Sequence, residues 1–371
     1  MDKIQKLILQ ERIISPCMEL IEKIERSHNN TDNLPEKLHQ YKADLHCALN
    51  RKKLILPRIA LIVGTKCTLR CKDCSNLMQY YTKPSDLEIH KLLEDLEQFF
   101  QLVDYCIEVS IVGGEPFLYP HLNQLFDYLI SNKKIGTIGI ITNATIIPGE
   151  DTLLKMKDPK IKVLISDYGK ITAAAKLCAQ LDKYQIQSSY ASCEKWIDCG
   201  DCKSRNRSQI QLEAIYNSCD SSKFCKALFK GKLFDCPRAA HLMDLQYADN
   251  IDYLNIFHAQ KEDILSFFTK GFSAACNYCD FGCSDKRFIE PGIQMNHKLS
   301  ERSSYTLISR KDYDNLIEAK EYWQQNYQNS EKTVMELQKW TKELEKAKEY
   351  FLNQITALEM QNNELKKQMK K

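Results

Sequence analysis

No stretch of about 20 apolar residues occurs in the 371-residue chain, so no segment is expected to span a bilayer. Charge of one sign is not in excess either: 52 Lys+Arg stand against 49 Asp+Glu, a formal net charge of +3. That balance gives no electrostatic case for a nucleic-acid partner. The opening MDKIQKLILQERIISP is too polar for a secretory signal and lacks a cleavage site. A disulfide framework is therefore not expected, and a reducing, cytoplasmic setting is. Cysteine, by contrast, is plentiful, with 16 in all. In a reducing compartment, clustered cysteines read as metal ligands or catalytic groups. The hydrophobic fraction of 43% permits a sizeable core, and the length suits two domains or one domain with an appendage.

Cys67, Cys71 and Cys74 stand as C-x3-C-x2-C within TKCTLRCKDCSNLM. A four-iron cubane held by three thiolates keeps one iron open to a small molecule. The spacing differs from the C-x2-C-x2-C-x3-C run of ferredoxins, and zinc sites more often pair C-x2-C knuckles. Buried or zinc-binding thiols are the competing reading. The apolar residues 59–63 end in Gly64 and lead straight into the motif. The ligands are thus expected on a loop at the C-terminal end of a strand, where α/β folds place their ligands.

Residues 57–190 alternate strand and helix signals. Strands are expected at 59–63, 107–112, 138–142, 161–165 and 185–190, with helices between them. One helix is expected to start at Ser85, with Glu88 completing a capping box and Leu92, Leu93, Leu96, Phe99 and Phe100 as its apolar face. Another follows Pro120, with Leu122, Leu125, Phe126 and Leu129. Such repeats argue for an α/β fold, with a parallel sheet of βα units curling into an open or partial barrel. Residues 1–55 read as two polar helices separated by a loop over 28–35. Cys17, Cys47, Cys106 and Cys178 stand alone and read as buried free thiols.

A second element sits beside the cysteine motif in this pattern. Gly113, Gly114, Glu115 and Pro116 follow the strand at 107–112. Together the two elements resemble the radical S-adenosylmethionine (SAM) enzymes, whose hallmark is C-x3-C-x-Φ-C after the first strand of a partial α/β barrel. The resemblance implies a [4Fe–4S] cluster on Cys67, Cys71 and Cys74, with the amino group of SAM held at Gly113, Gly114, Glu115 and Pro116. It implies further SAM contacts from polar residues at strand ends, here Asn143, Ser166 and Asp167. For Asn143 and Asp167 a turn or helix cap is the competing role. The Φ position, usually aromatic and near the adenine, is Asp73 here, so that contact must come from elsewhere. The implied reaction is reductive cleavage of SAM to methionine and a 5′-deoxyadenosyl radical, which abstracts hydrogen from a substrate. An electron donor such as flavodoxin or ferredoxin is implied with it.

More cysteines follow. Cys219, Cys225 and Cys236 are spaced C-x5-C-x10-C, and Cys276, Cys279 and Cys283 are spaced C-x2-C-x3-C. The run from Cys219 through Gly231 to Cys236 is similar to the twitch and SPASM auxiliary-cluster modules of that family. No cysteine follows Cys283, so one auxiliary [4Fe–4S] cluster is expected. The likeness favours Cys219 or Cys225, then Cys236, Cys276 and Cys279, with Cys283 as a substitute. The segment GKLFDCP is expected to form a hairpin strand delivering Cys236. Structural zinc is the rival. Cys193, Cys199 and Cys202 lie in a polar stretch where Trp196 and Asp198 are candidates for a substrate entrance, against a solvated loop with incidental thiols.

The expected architecture is a partial (β/α)6 parallel barrel over 56–192 behind an N-terminal helical region at 1–55. A linker and auxiliary module follow over 193–295, then a coiled coil over 310–371. In that tail Leu316, Trp323, Ser330, Leu337, Leu344, Phe351, Leu358 and Leu365 recur every seven residues, which favours self-association or partner docking over a helix folded back on the barrel. The substrate expectation is a small sugar- or polyol-type molecule, oxidised or modified. The alternatives are a peptide-modifying maturase and a zinc-bound scaffold without enzymatic activity.

Overall fold

The computed structural model describes residues 10–27, 53–169, 171–224 and 226–295. They fall within one compact unit, Met1–Ser300. The heptad-bearing tail, Cys47, Cys225 and residues 28–52, where a second N-terminal helix is expected, lie outside the described residues; Lys53 and Leu54 are not helical and Ile55 begins the first strand.

An eight-stranded sheet organises the chain. β1 (Ile55–Ile62), β2 (Tyr105–Val112), β3 (Ile135–Thr142), β4 (Ile161–Asp167) and β5 (Gln187–Ser192) pair in parallel, each with its predecessor. The inner strands are largely buried and rich in apolar residues, as a parallel sheet inside an α/β fold requires. Every residue of β2 is buried. β5, QSSYAS, is polar and largely exposed, as suits an edge strand. After β6 (Trp196–Ile197), which pairs with β10 (Phe288–Ile289) in a separate ribbon, the chain returns to the other side of β1. There β7 (Lys226–Phe229) lies parallel to β1, and β8 (Lys232–Phe234) and β9 (Tyr253–Asn255) continue antiparallel. Six parallel strands are therefore present, the sixth on the outer edge of β1, in an open sheet running from β5 to β9.

The first N-terminal helix, α1 (Ser15–Ser27), is not simply polar. Cys17, Leu20 and Ile21, with Ile13 of the preceding turn, are buried in the core shared with β1 and β2. Cys17 and Cys106 are fully buried there, as expected of free thiols, whereas Cys178 is half-buried. α2 (Ile89–Leu102) and α3 (Leu122–Ser131) bury the anticipated faces, with Phe99 and Phe126 at zero exposure. α4 (Glu150–Lys155) and α5 (Ala174–Lys183) complete the crossovers.

The capping box at Ser85 does not form. α2 begins at Ile89, capped by Glu88 without a side-chain hydrogen bond. Ser85 instead pairs with the loop after β1: its carbonyl accepts from Thr65 N at 2.8 Å, and its N–H donates to Thr65 Oγ1 at 2.9 Å. Leu87 N–H donates to Val63 O at 2.9 Å. Backbone groups near the buried strand end need partners more than an exposed helix terminus does, so residues 85–87 are drawn away from the helix.

The hairpin expected to deliver Cys236 is present as β7 and β8. Lys230 and Gly231 turn it, with φ of 50° and 69°, the left-handed pair a tight hairpin requires. Cys236 then caps α8 (Pro237–Asp244), its sulfur accepting from Ala239 N at 3.4 Å. Between β6 and β7 lie α6 (Gln209–Ser218) and α7 (Asp220–Phe224), and α9 (Lys261–Thr269) follows β9.

Candidate active site

The C-terminal ends of β1 to β4 open onto a cavity of about 310 Å³. β1 supplies the loop with Cys67, Cys71 and Cys74, all three on the wall. β2 supplies Gly113 and Gly114. A Cβ on Gly114 would lie 2.1 Å from Lys66 O and 2.8 Å from Cys67 Cβ, and one on Gly113 would lie 2.6 Å from Gly64 O. Only glycine lets the end of β2 pack against the cysteine loop. The contact is sealed where Glu115 N–H donates to Lys66 O at 2.8 Å.

Glu115 points away from the cavity. Its carboxylate accepts from Thr142 Oγ1 at 2.8 Å, Asn143 N at 2.8 Å and Phe117 N at 3.1 Å. It thereby ties the end of β2 to the end of β3. Burial pushes its pKa up, against the three hydrogen bonds, which favour the carboxylate. Pro116 opens a 3-10 turn, Pro116–Leu118. Asn143 lies on the cavity wall, and its Nδ2 donates to Cys67 Sγ at 3.5 Å and Thr68 Oγ1 at 3.3 Å. Ser166 also lines the wall, but Asp167 does not. Asp167 holds a turn instead, accepting from Gly169 N at 2.9 Å and from Thr172 and Tyr190 hydroxyls. The division follows from β geometry, since successive side chains of a strand point to opposite faces.

Burial raises all three first-set thiols, Cys67 to about 12. The thiols are thus held neutral, and metal binding there would release protons. The loop is held by a segment carrying no motif. Lys72 N–H donates to Ile293 O at 2.7 Å, Met295 N–H to Arg70 O at 2.9 Å, and Gln294 Nε2 to Cys71 Sγ at 3.3 Å.

The second set comes to the same place. Cys219, Cys236 and Cys279 line the opposite wall of the main cavity. With Cys276 they also surround a small neighbouring cavity of about 30 Å³ beside Tyr216 and Asp235. Cys283 lines neither; its sulfur accepts from an Arg207 N–H at 3.4 Å. Cys199, expected on a solvated stretch, is only 5% exposed and lines the main cavity. It is hydrogen-bonded to Cys279, which favours the Cys279 thiolate. Nothing in the local sequence marks it. Trp196 is on the wall, its ring 5.0 Å from that of Tyr168 and nearly perpendicular. Asp198 and Asp73 lie outside that cavity, in a separate polar one with Arg205 and Arg287.

The thiols line cavities, and a donor set of sulfurs around a space is one that an iron–sulfur cluster would fit.

Residues 61–166 match the sequence family described as the Radical SAM superfamily. The chain is similar to the radical SAM superfamily over that span. That family implies a [4Fe–4S] cluster and SAM, and the first cysteine loop and the Gly113 and Gly114 approach lie inside the matched span. Two curated relatives match part of the chain. One is the antilisterial bacteriocin subtilosin biosynthesis protein AlbA of Bacillus subtilis (strain 168), 31% identical over 107 residues, which are 27% of this chain and 22% of that protein. The other is the S-adenosylmethionine-dependent nucleotide dehydratase of Thermoplasmatales archaeon (strain ISO4-H5), 33% identical over 96 residues, 25% of this chain and 30% of that protein. The chain thus spans less than a third of either relative. Among solved structures, BtrN in complex with AdoMet and 2-DOIA aligns over 59% of this chain and 84% of that one, with 15% identity and a TM-score of 0.42.

Proposed function

We propose that this chain cleaves SAM reductively and uses the product to take hydrogen from a small, hydroxyl-bearing substrate, with a second iron–sulfur cluster at the Cys219, Cys236, Cys276 and Cys279 site. The observation that carries the reading is that two cysteine sets, far apart in sequence, face each other across one cavity. When bound, a [4Fe–4S] cluster and SAM supply the one-electron cleavage that yields the 5′-deoxyadenosyl radical.

The chain's own residues do the rest. Cys67, Cys71 and Cys74 hold the first cluster, and their count leaves room for SAM as a further ligand. Gly113 and Gly114 bring bare backbone to the cysteine loop, where the amino group of SAM is received. Glu115 serves from behind, fixing Thr142 and Asn143. Asn143 and Ser166 offer polar contacts to the SAM ribose or carboxylate. Tyr168 and Trp196 supply the aromatic surface for adenine that position 73 does not, since Asp73 lies outside this cavity. Ser75, Asn76, Ser110 and Ser221 add hydroxyl and amide groups to the wall. That lining supports a polyol or sugar-type substrate, and an external reductant such as flavodoxin or ferredoxin completes the scheme.

The test is anaerobic iron and sulfide analysis with EPR of the reduced protein, with and without SAM. About eight irons and a spectrum altered by SAM are expected. Cys67→Ser and Cys276→Ser should each remove about four irons, whereas Cys283→Ser removes none. Zinc without iron after reconstitution refutes the reading. Deoxyadenosine formation stimulated by polyols and never by peptides fixes the substrate class, and the reverse replaces it with a peptide.

A further inference from the structure

One buried guanidinium bonds to backbone beside Cys74, Cys199 and Cys279 around the cavity. Arg238 sits two residues after Cys236, is 5% exposed and lines both cavities. One terminal nitrogen donates to Ser75 O at 3.1 Å, beside Cys74. The other donates to Gly200 O at 2.7 Å and Asp201 O at 3.1 Å, between Cys199 and Cys202. Its Nε donates to Tyr278 O at 3.3 Å, beside Cys279. All of these acceptors are neutral carbonyls. Among the described residues Arg238 forms no ion pair, although Arg205 and Arg207 nearby pair with Asp280.

A buried cation with only neutral partners is costly unless an anion stands close by. The carbonyls occupy almost the whole donor fan, so little of it remains for a substrate. What remains is its charge, aimed at the space between two thiolate-rich sites. Clusters held by thiolates are anionic, and their potentials follow the net charge around them.

We propose that Arg238 is a positioning residue shared by the two iron–sulfur sites, the common counter-charge that makes both clusters easier to reduce. This rests on the two-cluster reading above. Reduction adds negative charge, so a fixed cation favours the reduced state of each. A unit charge about 10 Å away at an effective dielectric near 20 shifts an equilibrium by about tenfold or more. For a one-electron couple tenfold corresponds to about 59 mV.

The experiment is an EPR-monitored redox titration of reconstituted full-length protein, wild type against Arg238→Gln and Arg238→Lys, with iron counted in each. With iron content at the wild-type level, both midpoints should fall in the Gln variant by about 59 mV or more and stay near wild type in the Lys variant. Unchanged midpoints in the Gln variant, or equal shifts in both variants, overturn the proposal. If the Gln variant loses iron, the Lys variant decides: wild-type iron and midpoints support the charge, and loss of iron there assigns Arg238 a merely structural role. A wild-type protein with four irons or fewer refutes the two-cluster reading itself, separately from any variant.

Discussion

Gly114→Ala is the sharpest perturbation available at this site. The added methyl would lie 2.1 Å from Lys66 O, 2.5 Å from Lys66 C and 2.8 Å from Cys67 Cβ. Ordinary contact needs about 3.4 Å or more, so the backbone carrying Cys67 must retreat by about 1 Å. Gly114 has no left-handed φ, so the effect is steric and involves no backbone strain. Overpacking of this kind costs about 1–3 kcal/mol, which lowers the melting temperature of a domain this large by several degrees. The functional loss should be greater, because a displacement of about 1 Å at a reacting centre costs about a hundredfold in rate. The assay pairs thermal unfolding with SAM affinity of the reconstituted protein, and Gly149→Ala serves as control, since nothing lies within 4 Å of its Cβ. A folded Gly114→Ala protein that binds SAM like wild type would show that the approach of β2 to the cysteine loop is not needed, and the argument built on it would fail.

Two further outcomes are expected. Trp196→Ala, which removes half of the aromatic pair on the cavity wall, should weaken SAM binding about three- to tenfold while iron content stays unchanged; equilibrium binding of SAM reads it, and an unaltered affinity would move the adenine elsewhere. Asp95, buried on α2 and accepting from Gly231 N at 2.8 Å, has its pKa raised by burial to about 6. The folded state thus holds this proton more tightly than the unfolded one, so stability should fall as pH rises from about 4 to about 6 and then level. The Asp95→Asn substitution should flatten that segment of the profile in urea unfolding across this range, and an unchanged slope would refute the assignment.

The first four strands of the sheet were legible because each is an apolar run ending in a turn signal, with β1 extended at its start through Pro57 and Arg58. Arg58 is accommodated there by Glu108, 2.7 Å away. The placement of Cys67, Cys71 and Cys74 on a loop after β1 was legible from the apolar run that ends in Gly64. Ser166 and Asp167 could have been separated by alternation along β4. The parts that were not legible depend on long-range pairing. Ser85 left its helix to bond Thr65, Cys199 was buried by contact with Cys279, and Gln294 reached Cys71 from more than 200 residues away. No local window contains either partner's reason. The placement of β7 beside β1 is of the same kind, since a strand's sequence specifies its burial and not its neighbour.

That last placement governs how the two halves of the cavity can move. A module joined only through residues 193–225 would be a tethered body, free to swing about its linker. Here Ile59, Ala60 and Leu61 share a ladder with Lys226, Ala227 and Leu228. The strand that launches the first cysteine loop and the hairpin that presents Cys236 are adjacent members of one sheet. The separation of that strand from that hairpin is therefore fixed by the sheet's own hydrogen bonds, indifferent to the length or composition of the linker.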